Sequence, residues 1–147
     1  MKILLATDGS KHSNLMIKKF AERSLDSKTK ILIVVAYEKA AYMMDSAPMG
    51  ALKEYYVMSN NFAVKLAKTA AADALSLLRK KHPKLSISSV AIEGSPKKVI
   101  LNEADSFKAD LIVIGSHGHG IIAGFLLGSV SQAVALHAKC SVEIVRK

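Results

Sequence analysis

Cysteine occurs once in this chain, at Cys140, so no intramolecular disulfide can form and a disulfide-stapled secreted module is excluded. A packing role is expected for that thiol. Tryptophan is absent, and the four Phe and four Tyr form no aromatic-rich strand of the kind on which RNA bases stack. No apolar run approaches the roughly 18 residues needed to cross a bilayer. The opening apolar run, within "KILLATD", is too short for an export signal, which predicts a cytoplasmic protein.

Acidic residues are also scarce, 12 Asp and Glu against 21 Lys and Arg, and the resulting net charge of +9 raises the question of a nucleic-acid partner. The basic residues argue against one. They are scattered in ones and twos from Lys2 to Lys147, and the densest group, Arg79, Lys80 and Lys81, falls at an expected helix end, where cations complement the helix dipole. Neither a nucleic-acid nor a membrane partner is expected.

What the chain does contain is an alternation of apolar strands and amphipathic helices over 147 residues, half of them apolar, with no repeat, linker or low-complexity tract. That length is expected to fold as a single domain, 1–147. "KILLATD" (2–8) is a continuous apolar run of the type that a parallel strand buried on both faces requires. Ser10 or Ser13 can cap a helix to about Leu25 that turns Met16, Ile17, Phe20 and Ala21 inward. "KILIVVAYE" (30–38) reads as the second strand. A methionine-rich connection of about twenty residues follows, 39–59, a length that suggests a lid, an interface or a disordered loop.

A long helix is predicted from about Asn60 to Lys81, with Ala63, Ala67, Ala70, Ala74, Leu77 and Leu78 as its inward stripe. "LSISSVAIEG" (85–94) alternates like an edge strand. Ser95 is placed to cap, and Pro96 to start, a helix to Phe107 that buries Ile100, Ala104 and Phe107. "ADLIVIGS" (109–116) is the fourth strand, Gly128 or Ser129 starts the last helix, and "SVEIVR" (141–146) is the fifth strand. Five strands alternating with four helices predict a three-layer α/β sandwich around a mainly parallel sheet, with right-handed crossovers giving strand order 3-2-1-4-5. In such a sheet the order reverses between strands one and four, and the crevice there is the usual ligand site. Asp8 and Gly115 are expected to face each other across it.

Glycine is concentrated after the fourth strand: Gly115, Gly118, Gly120, Gly124 and Gly128 precede the last helix. Glycines admit close approach of a ligand, and a helix start presents unpaired N–H groups with a positive dipole end, so this loop has the makings of a phosphate site. A purely structural glycine turn is the alternative. No lysine follows these glycines as a Walker A loop requires, which excludes an ordinary P-loop NTPase. Gly118-x-Gly120-x-x-Ala123 matches a loose dinucleotide fingerprint, but it follows the fourth strand and leaves too little chain for a full dinucleotide fold.

Gly115, Gly118, Gly128 and Ser129 satisfy a Gly-x2-Gly-x9-Gly-Ser/Thr pattern. With "ILLATDGS" at the start and "EGSPKKVILNEADSFKADLIVIGS" before the loop, the whole chain resembles the ATP-binding branch of the universal stress protein family. The resemblance implies an adenine nucleotide alpha hydrolase-like fold, with Asp8 on the ribose hydroxyls and Gly115, Gly118 and Gly128 letting the loop wrap the phosphates. It implies phosphate contacts from Ser129, Val130 and Ser131, adenine flanked by Ala36 and Ile114, ATP or its AMP and ADP relatives as ligand, and Mg or Mn bridging phosphates. It also implies a homodimer paired along the terminal strand.

Between Gly115 and Ala138 the sequence has no lysine or arginine; His117, His119 and His137 are its potential cations. His117 and His119 lack a nearby cysteine or carboxylate in sequence and do not read as a metal site. One of them contacting phosphate predicts stronger nucleotide binding toward pH 6, and two solvated loop histidines are the alternative. Phosphoryl transfer needs fixed positive charge on the transferring group. The expectation is therefore a nucleotide-binding regulatory or stress-response module with no catalytic residue; a weak ATPase assisted by Asp8 or His119, or a dimeric interaction protein independent of nucleotide, is the alternative.

Overall fold

The computed structural model describes residues 1–39, 51–116 and 127–146. Five strands, β1 (Lys2–Ala6), β2 (Lys30–Tyr37), β3 (Ser86–Glu93), β4 (Leu111–Gly115) and β5 (Ser141–Val145), alternate with α1 (Lys11–Ala21), α2 (Ala51–Lys81), α3 (Pro96–Phe107) and α4 (Ser129–His137). The strands form one sheet in the order β3-β2-β1-β4-β5, every neighbouring pair parallel. The predicted fold class and strand order are those observed.

The continuous apolar strands are explained by burial on both faces. Along β1, Ile3 and Leu5 join Met16, Ile17 and Phe20 of α1 and Leu78 of α2 in one core, while Leu4 and Ala6 join Val99, Ile100 and Ala104 of α3 and Val134 of α4 in the other. Central strands β1 and β4 therefore need no polar alternation, whereas edge strand β3 carries Ser86 and Ser88 outward. At the sheet's amino end, Lys2 N–H donates to an Asp110 carboxylate oxygen at 2.6 Å and Asp110 N–H to Lys2 O at 2.8 Å, setting β1 in register with β4.

Several boundaries differ from the sequence reading. β1 ends at Ala6, so Asp8 lies two residues beyond the strand. Helix α1 ends at Ala21 rather than near Leu25, capped at Glu22, where Arg23 N–H turns back to Phe20 O at 3.1 Å. Its N-cap is Ser10, whose side chain accepts from Ser13 N–H. Helix α2 starts at Ala51 instead of Asn60, because no proline or glycine interrupts the chain from there to Lys81. The second half of the expected lid is thus helix, and residues 40–50 lie outside the described residues.

In α2, Ala67, Ala71, Ala74 and Leu78 are fully buried and Ala63, Ala70 and Leu77 half-buried, so Ala71 joins the predicted stripe. Ser95 is the N-cap residue of α3 but makes no side-chain capping bond; Pro96 at the start supplies the helical φ instead. Val99 takes the buried place expected of Phe107, whose half-exposed ring lies under the Lys2 ammonium at 5.5 Å. β4 is shorter than expected, Leu111–Gly115. Cys140 is half-buried, and burial pushes its thiol pKa up, with Asp105 and Asp110 acting in the same direction. Among the described residues no helix is long and apolar enough to cross a membrane.

Candidate functional site

β1 and β4 are neighbours whose following helices pack on opposite faces of the sheet, so the chain diverges at their carboxyl ends. A cavity of about 600 Å³ opens there. Its lining includes Asp8, Ala36, Ile114, Gly115, Gly128, Ser129, Val130 and Ser131, which the sequence singled out from four separate stretches. Gly118, His117 and His119 lie outside the described residues.

The aspartate turn is built by local hydrogen bonds. Thr7 N–H still donates to Val34 O at 3.0 Å, continuing the sheet one residue past β1. Asp8 Oδ1 then accepts from Ser10 N–H at 3.0 Å and from Ser13 Oγ at 2.6 Å, an Asx turn that orients the carboxylate at the start of α1. The buried Ser13 hydroxyl in turn accepts from Thr7 Oγ1 at 3.0 Å. Between them Gly9 takes φ +74°, in the left-handed region, and a Cβ there would stand 2.8 Å from Ala70 Cβ of α2. A side chain at position 9 would therefore collide with α2.

The opposite wall is the end of β4 and the first turn of α4. Gly128 N–H donates to Ser116 O at 2.9 Å, bringing the far end of the glycine loop back to the strand. Buried Ser131 donates its hydroxyl proton to Gly115 O at 2.7 Å. That bond engages the Ser131 hydroxyl on the strand and leaves its backbone N–H as the group available to an anion. The first intrahelical bond is Gln132 N–H to Gly128 O, so the N–H groups of Ser129, Val130 and Ser131 precede any carbonyl of the helix that could take them. They make a positive end on the cavity wall.

The floor is apolar, with Val34, Val35, Ala36, Ile100 and Ile114 among its lining. Helix α2 supplies a wall that sequence reasoning missed, through Ala63, Leu66, Ala67, Thr69, Ala70 and Asp73. The stripe read from the sequence holds Ala63, Ala67 and Ala70 but not Leu66, Thr69 or Asp73; only the tertiary packing turns these positions toward the crevice. Charge on the lining is of one sign among the described residues: Asp8, Glu38 and Asp73, with no Lys, Arg or His. Neighbouring Lys39 is paired with Glu93 at 2.6 Å. Among the described residues no three His, Cys, Asp or Glu side chains converge as metal ligands, so these residues do not supply a cage for the Mg or Mn implied by the resemblance.

This arrangement can seat a planar apolar group on the floor, accept hydrogen bonds from hydroxyls at Asp8, and donate N–H groups to an anion at α4. A universal stress protein from Thermus aquaticus is 32% identical over 145 residues, covering 98% of this chain and 97% of the relative. A solved universal stress protein in complex with cAMP has a TM-score of 0.67 and 29% identity, covering 99% of this chain and 96% of that one. An Arabidopsis thaliana protein of the same family, with AMP bound, has a TM-score of 0.64 at 20% identity, covering 100% and 92%, a likeness of fold. The profile of the Universal stress protein family matches residues 1–146, and the chain belongs to that family.

Proposed function

We propose that the cavity binds an adenine nucleotide and that the protein acts as a nucleotide-dependent regulatory or stress-response module. The observation that carries this reading is the convergence of Asp8, Ala36, Ile114, Gly115, Gly128 and Ser129–Ser131 on one cavity that ends at the open N-terminus of α4. In this reading adenine lies against Ala36 and Ile114, Asp8 accepts from the ribose hydroxyls, and the N–H groups of Ser129, Val130 and Ser131 hold phosphate. Gly115, Gly118 and Gly128 keep the loop backbone close to it. The cAMP complex of the 29% identical protein supports an adenine ligand.

ATP, ADP and AMP are the candidate ligands. The described lining offers no lysine or arginine to stabilise a transferring phosphoryl group, so ATP hydrolysis, if assisted by Asp8 or His119, is slow. A cytoplasmic homodimer paired along β5, whose outer edge ends the sheet, completes the proposal. Calorimetric titration of nucleotide-stripped protein with each nucleotide tests it, together with Ala36→Phe, which fills the apolar floor. Micromolar binding lost in Ala36→Phe is expected; no uptake of any nucleotide by the wild type refutes the reading and leaves a dimeric interaction protein in its place.

A further inference from the structure

We infer that the corner of the protein where β2 and β3 begin and α2 ends docks on the phosphate backbone of a duplex nucleic acid, without reading its sequence. The scatter of basic residues along the chain, which argues against such a partner, is undone by the fold: in a parallel sheet every helix returns the chain to the same end. Lys28 and Lys30 stand at the start of β2, Lys84 two residues before β3, and Lys80 and Lys81 in the last turn of α2. Lys30 is in register with Ser86, so the two strand starts lie about 5 Å apart. All five lysines are exposed, and among the described residues their ammonium groups have no ion-pair partner. The acids of this corner are Glu22 and Asp26, and Asp26 Oδ1 accepts from the backbone N–H of Lys28 at 2.8 Å.

Compensation of the helix dipole accounts for part of this charge, since the end of α2 presents roughly half an elementary negative charge. Lys28, Lys30 and Lys84 belong to no helix and exceed that need. The chemistry of the corner fits phosphates. Lysines are its free cations, because Arg23 is engaged with Glu143 and Arg79 donates to Ile87 O at 3.0 Å, so no guanidinium fork is left to read a base edge. No Phe, Tyr or Trp occurs in 22–30 or 79–88, which leaves nothing on which unpaired bases would stack. None of the large exposed apolar side chains falls in those two stretches either, so an anchor for a lipid surface is lacking. Every residue of both stretches is described, and the corner lies at the end of the sheet opposite the crevice, so the inference stands apart from nucleotide binding.

The test is fluorescence anisotropy of a labelled DNA duplex of mixed sequence, about two helical turns long, titrated with the full chain over a range of salt concentrations. With five lysines on phosphates, log K is expected to fall with log salt at a slope of about −4.5, a loss of about 500-fold between about 50 and 200 mM. The variant carrying Lys80→Gln, Lys81→Gln and Lys84→Gln, checked for folding by circular dichroism, is expected to flatten that slope to about −1.8. Lys11→Gln, Lys97→Gln and Lys98→Gln together remove the same charge from exposed positions near the crevice and are expected to leave the slope unchanged. No binding at about 25 mM salt, a wild-type slope shallower than about −2, or equal losses in the two triple variants overturns the inference. Tighter capture by vesicles of phosphatidylcholine and phosphatidylserine than by the duplex, at equal phosphate concentration, overturns it in favour of a membrane surface.

Discussion

Replacing Gly9 by alanine should destabilise the protein by about 2–3 kcal/mol, the balance of three effects. At φ +74° an L residue meets its own carbonyl, at a cost of roughly 1–2 kcal/mol. The added Cβ stands 2.8 Å from Ala70 Cβ, and forcing an extra methyl into packed structure costs typically 1–3 kcal/mol. Restriction of the unfolded chain returns about 0.4–1 kcal/mol. With a urea slope near 2 kcal/mol/M, the midpoint should fall by about 1 M at unchanged slope. Because Gly9 and Ala70 both line the cavity, nucleotide affinity should fall as well. Ala70→Gly removes the facing methyl, at about 1 kcal/mol for a glycine in a helix interior. The double variant should therefore be more stable than the sum of the single effects by about 1–2 kcal/mol, the relieved steric part. A shift of less than about 0.3 M for Gly9→Ala, or strict additivity in the cycle, refutes the claim that this contact sets the approach of α2 to the β1 turn.

Ser131→Ala leaves the buried Gly115 carbonyl without its 2.7 Å partner and should cost about 1–3 kcal/mol in chemical denaturation, with weaker phosphate-dependent binding as the first turn of α4 loosens. Leu78→Ala, at a fully buried position beneath the sheet, should cost about 2–5 kcal/mol without altering the relative affinities of the nucleotides. Arg23 donates from its two terminal guanidinium nitrogens to both carboxylate oxygens of Glu143, one bond at 2.8 Å, and holds the Glu143 pKa below the usual carboxylate range by that hydrogen bonding and by its charge. A depressed acid pKa contributes stability that is present above the unfolded value, near 4.3, and is lost as pH falls through the folded one. The pair is about a third exposed, so its contribution stays below about 1 kcal/mol; Glu143→Gln should remove that part of the acid-side slope in stability measured from pH 6 to pH 3.

The strand order and the site's composition were legible for separate reasons. Unbroken apolar runs such as Ile3–Ala6 and Leu111–Ile114 declare strands buried on both faces, and helix-length connections between parallel strands admit right-handed crossovers that place β1 beside β4. Gly115 and Gly128 marked the loop because backbone chemistry of that kind is visible in residue type alone. Element ends were less legible. α1 stops at Ala21 through a cap at Glu22 that propensity does not encode, α2 extends back to Ala51 along a stretch free of proline and glycine, and Ser95 takes the N-cap position without making the bond its hydroxyl allows.

By itself, then, the sequence determined the layers, the reversal point between β1 and β4, and the aspartate and glycines offered there, since these follow from periodicity, chirality and residue chemistry near each position. Tertiary structure decided that α2 walls the crevice through Leu66, Ala70 and Asp73, that Gly9 must lack a side chain because Ala70 lies against it, and that Ser131 turns its hydroxyl to Gly115. Each of those depends on the distance between groups far apart in the chain, which no local pattern specifies and which only the packing of helices on a common sheet determines.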